Sequence, residues 1–70
     1  MFGIEWLHNG SVVERETSVV AKTLDQVLAR AKARAPQVTR RLRGREPDSF
    51  RLTDASGKVI GIYPVENQPD

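Results

Sequence analysis

FGIEWLHNGSVVERETSVV, from Phe2 to Val20, decides the fold. Two strand-forming runs, Phe2 to Leu7 and Val12 to Val20, flank His8-Asn9-Gly10-Ser11. Asn-Gly is a strong hairpin signal because both residues tolerate the positive φ of a type I′ turn. With Asn9 and Gly10 as a two-residue loop, Trp6 is expected opposite Val13 and Ile4 opposite Arg15. Phe2, Ile4, Trp6 and Val13 would then share one face, and Glu5, Leu7, Val12, Glu14 and Glu16 the other.

Downstream, Thr23 with Gln26 three residues on forms a capping-box pattern, and Asp25 suits the positive end of a helix dipole. Leu24, Val27, Leu28, Ala31, Ala35, Val38 and Leu42 follow helical spacing and make one apolar stripe. Pro36 interrupts the run and removes a backbone donor at a cost of about 3 kcal/mol. The expected helix therefore extends to about Ala35, with a kinked or restarted turn through Leu42 and Gly44 as C-terminal cap. Ser49 to Thr53 and Lys58 to Val65 read as a second hairpin around Asp54-Ala55-Ser56-Gly57. A three-residue loop with Gly57 left-handed sets Leu52 opposite Ile60 and Phe50 opposite Ile62, burying four large apolar side chains.

These elements predict a single α+β domain over residues 1–65. It has ββαββ order, a four-stranded antiparallel sheet and one long helix on one face. Residues 66–70, with Pro69 among them, read as a frayed tail. The element order and the Asp54-x-x-Gly57 turn resemble small bacterial hairpin-helix-hairpin domains of unknown function. That resemblance implies the layout and transfers no functional residues.

A chain of 70 residues without cysteine and with one histidine buries only about 60% of its unfolded surface. Disulfides are excluded and a structural metal is disfavoured, so association is the remaining source of extra stability. Met1 to Leu7 lacks the basic and apolar regions of a signal peptide, and no apolar run approaches the roughly 20 residues of a membrane span. A cytoplasmic protein is the resulting expectation.

No motif of catalysis emerges. His8 reads as a solvated turn residue, Ser11, Ser18, Ser49 and Ser56 lie at turns or strand ends, and Glu5, Glu14 and Glu16 read as solubilising charge. No cofactor is expected. Trp6, Leu28, Phe50 and Ile62 are expected in the core.

Two surfaces are candidates for binding. From Gln26 to Arg45 the chain carries Arg30, Lys32, Arg34, Arg40, Arg41, Arg43 and Arg45 and no acid, a net charge of +7, against −5 for the remainder. Arg30, Lys32, Arg40, Arg41, Arg43 and Arg45 could bind phosphate or another anion, although no aromatic residues interleave them to stack bases. The second candidate is the uncovered sheet face, expected to show Leu7, Val12, Arg51, Val59 and Tyr63, where full polarity is normal. The leading expectation is a non-catalytic interaction module, a homodimer or the binder of a protein partner, using that face. On this reading Glu5 and Glu14 meet Arg51 or the helix arginines of a second copy. Nucleic-acid binding by the basic helix is the alternative.

Overall fold

The computed structural model describes residues 1–65; the tail expected at 66–70 lies outside them. Strands β1 (Phe2–His8) and β2 (Ser11–Val19) precede helix α1 (Leu24–Arg41), which is followed by β3 (Ser49–Thr53) and β4 (Val59–Pro64). All four strands join one antiparallel sheet in the order β2-β1-β3-β4. The fold is α+β with ββαββ order. Pairing of β1 with β3 puts the two most buried strands in the middle, where Ile4, Trp6, Phe50 and Leu52 are covered.

Both turns form as their residues dictate. Asn9 (φ 51°) and Gly10 (φ 83°) make the two-residue loop, with His8 opposite Ser11 and Leu7 opposite Val12. Beyond it the register departs from expectation. A β-bulge leaves Val13 as the extra residue, so Trp6 faces Glu14, Glu5 faces Arg15 and Ile4 faces Glu16. One inserted residue moves every later side chain to the opposite face. Glu14 and Glu16 therefore lie on the helix side, where Glu14 pairs with Arg41 and Glu16 with Arg30 (2.6 Å) and Arg34 (3.1 Å). A second irregularity, with Ser18 at φ 60°, brings Val19 opposite Phe2.

The second hairpin repeats the pattern. Asp54 Oδ1 accepts the Ser56 and Lys58 amides at 2.9 and 3.0 Å, Gly57 adopts φ 89°, and Thr53 pairs with Val59. A bulge then places Leu52 opposite Gly61, Arg51 opposite Ile62 and Phe50 opposite Tyr63, in place of the expected Leu52–Ile60 and Phe50–Ile62 pairs. The reason is aromatic packing. The Tyr63 ring stacks on Phe50 at 5.6 Å, and Phe50 meets Trp6 at 5.2 Å. Gly61 makes the room, because a Cβ there would lie 2.8 Å from the Tyr63 ring.

Helix α1 starts as expected: Thr23 Oγ1 accepts the Gln26 amide (3.3 Å), and Gln26 Oε1 accepts the Lys22 amide (2.7 Å). It does not break at Pro36, as expected from its chemistry, but runs unbroken to Arg41. Pro36 and Lys32, whose carbonyl loses its donor, both lie on the exposed side. Water can satisfy that carbonyl, and the lost bond only favours curvature around the sheet. Leu42 is the C-cap, and Gly44 (φ 91°) shapes the following turn, closed by Arg45 N–H to Leu42 O at 2.8 Å.

All seven residues of the apolar stripe pack in or against the core, with Val27, Ala31 and Val38 buried. Leu28 is only half-buried, so the helix turns Val27 rather than Leu28 squarely onto the sheet. Ile62, expected in the core, is 66% exposed.

Candidate interaction surface

The pairing lays three rows across the sheet face away from α1. Val12, Leu7, Ser49 and Pro64 form one; Arg15, Glu5, Arg51 and Ile62 the second; Gly3, Thr53 and Val59 the third. The middle row carries charge across three strands and ends on an isoleucine. Glu5 sits between two guanidinium groups, accepting Arg15 Nε at 2.9 Å and a second bond from Arg51 Nε. The Arg51 bond is the main influence holding the Glu5 carboxyl below its usual range, with Arg15 adding to it against the opposing effect of burial. Each of these three side chains is held by strand register, so the row is a fixed +1 strip.

Of the expected surface residues, Leu7, Val12, Arg51 and Val59 do lie on this face. Tyr63 does not: the bulge in β4 turns it toward the helix, and Ile62 takes the outward place. Leu7 is nearly covered at 7% exposure, whereas Val12 and Val59 are 37% and 39% exposed. The apolar emphasis of the face thus falls on its β4 side. By the third row, Gly3, Glu5, Arg15, Thr17, Thr53 and Asp54 line a hollow of about 330 Å³. A Cβ on Gly3 would come within 2.5 Å of Thr53 Oγ1, so glycine keeps that floor low.

Glu5 and Glu14, expected to meet arginines of a second copy, already have arginine partners within the chain. Glu5 holds Arg15 and Arg51, and Glu14 holds Arg41. The basic helix is correspondingly reduced: Arg30 and Arg34 are tied to Glu16. Lys32, Arg40, Arg43 and Arg45 make no ion pair among the described residues.

His8 is not a free turn residue. Its Nδ1 lies 2.8 Å from the Glu46 carbonyl, which requires the ring to donate there. Asp48 fastens the same region, accepting the Asn9 amide at 3.0 Å through its side chain while its own amide donates to Leu7 O at 2.8 Å. The Asn9 contact holds the Asp48 carboxyl below its ordinary range. The segment from α1 to β3 is thereby clamped to the first hairpin turn.

No grouping of three His, Asp or Glu side chains suited to a metal occurs among the described residues, and no helix there is long and apolar enough to cross a membrane. Sequence reasoning missed Ile62, Glu16 and the central position of Glu5. Gly61 was the available signal for the first, since a glycine inside a strand marks a bulge or a close approach. Comparison with known proteins finds no matching protein family, curated protein or solved structure.

Proposed function

We propose that this domain is a non-catalytic interaction module that associates with a second copy of itself through the β4 side of its uncovered sheet face. The observation that carries the reading is Ile62, 66% exposed on a strand whose outward neighbours are Val59 and Pro64. Large side chains so exposed on a sheet face mark contact sites when they cluster. Arg51, opposite Ile62 on the neighbouring β3, extends the contact, whereas Leu7 and Val12 lie on β1 and β2, toward the other edge of the same face. Sedimentation velocity up to hundreds of micromolar (about 300 μM, within the reach of weak, small interfaces) tests it. Wild type should gain mass with concentration and Ile62→Lys should not. A wild-type monomer throughout overturns the proposal.

A second reading has its own support: Lys32, Arg40, Arg43 and Arg45 keep no acidic partner among the described residues. Four such cations on nucleic acid would give a log–log salt slope of at most about −3.6. Undetectable binding of Arg40→Glu/Arg43→Glu where wild type binds DNA or RNA supports that reading; absence of wild-type binding at low salt removes it.

A further inference from the structure

The two edges of the sheet differ in how they meet solvent. Edge β2 has two register irregularities, Ser18 at φ 60°, and Glu14, Arg15 and Glu16 in succession. Bulges and charges of this kind prevent another strand from adding. Edge β4 has no charged side chain from Val59 to Val65. Its protection is confined to its ends, a bulge at Ile60 and Pro64.

Between those ends one backbone position is open. Val65 N–H donates to Asp48 O at 3.0 Å. Hydrogen-bonding directions alternate along an antiparallel strand, so Tyr63 and Gly61 direct their backbone groups to β3 and Ile62 directs its N–H and C=O away. Pro64 lacks the donor that would point the same way.

We infer that two copies join edge to edge, β4 against β4 in antiparallel sense about a two-fold axis at Ile62, to form one eight-stranded sheet. This rests on the self-association proposed above and specifies its geometry. A single residue with both groups free suits a symmetric pair, in which each Ile62 N–H donates to the other Ile62 carbonyl. A longer foreign strand would meet the bulge on one side and Pro64 on the other and could not extend its ladder. Among the described residues, pairing of β4 with itself also desolvates no charged side chain of the strand and leaves the two guarded β2 edges outside, so growth stops at two. Side by side, the outward Ile62 residues merge with Val59 into one apolar band on the uncovered face. Edge pairing alone covers less than the roughly 800 Å² per partner of a standard interface, so the dimer is weak and concentration-dependent.

The test combines sedimentation with amide hydrogen exchange of the intact wild-type chain at low and high concentration. The expected result is a species of twice the monomer mass whose Ile62 amide exchanges on the order of tenfold or more slowly than in the monomer, as an exposed amide does on gaining a cross-strand partner. A dimer whose Ile62 amide is no slower than in the monomer overturns edge pairing and leaves self-association standing. A monomer at every concentration overturns both, and assembly past the dimer overturns the closed two-fold arrangement. Ile62→Lys keeps the N–H but sets two like charges side by side, and the amide at position 62 should then exchange at the monomer rate at every concentration, without unfolding.

Discussion

The two hairpins undergo the same event with opposite results. Each has the turn its sequence specifies, and each inserts one extra residue shortly after it, Val13 in the first and Ile60 in the second. In the first hairpin the shift turns glutamates inward, where helix arginines hold them. In the second it turns a tyrosine inward and an isoleucine outward. One edge strand becomes a charged latch between sheet and helix, and the other an aromatic lid with an apolar outer side. A bulge is therefore a means of choosing which residue type meets the core, and the choice follows the nearest available partner: guanidinium for β2, the Phe50 ring for β4.

The comparison can be broken most severely at the ring both halves share. Phe50→Ala removes the contact joining Trp6 to Tyr63 and should lower unfolding free energy by about 3 to 5 kcal/mol in urea titration. A smaller loss than that of Tyr63→Ala would show that the lid, not the shared ring, organises β4. Next, Gly61→Ala places a methyl against the Tyr63 ring and should cost about 1 to 3 kcal/mol. If the bulge exists to seat Tyr63, the double change Gly61→Ala/Tyr63→Ala should cost less than the two singles together.

Effects on the charged side are smaller. Glu16→Gln gives up the bonds to Arg30 and Arg34 and should cost about 1 kcal/mol, the upper end for partly exposed pairs; equal stability in high salt and low salt for wild type would argue against the latch. At Glu5 the sign follows from its lowered pKa. The folded carboxyl holds its proton less tightly than the unfolded one, so its contribution is present above the ordinary glutamate range and fades as pH falls through the depressed folded value. Thermal melts of Glu5→Gln should therefore lose part of the acid-side decline of wild type, the remainder belonging to carboxyls such as Asp48 and Asp54, also lowered by hydrogen bonds. Smallest of all, Ile62→Lys should leave monomer stability within about 0.5 kcal/mol at dilutions where association is absent. A larger loss would mean Ile62 supports its own protomer.

Element order, both turns and the helix start were legible because each depends on a few neighbouring residues: Asn9-Gly10, Asp54 with Gly57, Thr23 with Gln26. The seven-residue stripe was equally plain. Register beyond the turns was not, since a bulge is settled by partners remote in the chain: Arg30, Arg34 and Arg41 for β2, Phe50 for β4. The unbroken helix at Pro36 has a similar origin, because whether a missing hydrogen bond matters depends on which side of the helix faces water. Of the expected contact residues, Leu7, Val12, Arg51 and Val59 kept their face, and Tyr63 exchanged with Ile62 through the one-residue shift.

Pairing of β1 with β3 also sets how the chain reaches this form. Residues 3 to 7 find 53 to 49 only after the first hairpin and the whole helix have been traversed, whereas each hairpin closes within a few residues. Hairpins and helices assemble in microseconds, and ladders between distant segments must first overcome loop-closure entropy. The central seam is thus the slow step in time although it is the innermost in space. Until it closes, β1 and β3 each present an open edge beside side chains that the folded core will bury, Ile4, Trp6, Phe50 and Leu52, and the interval before closure is when this chain is most exposed to misassembly.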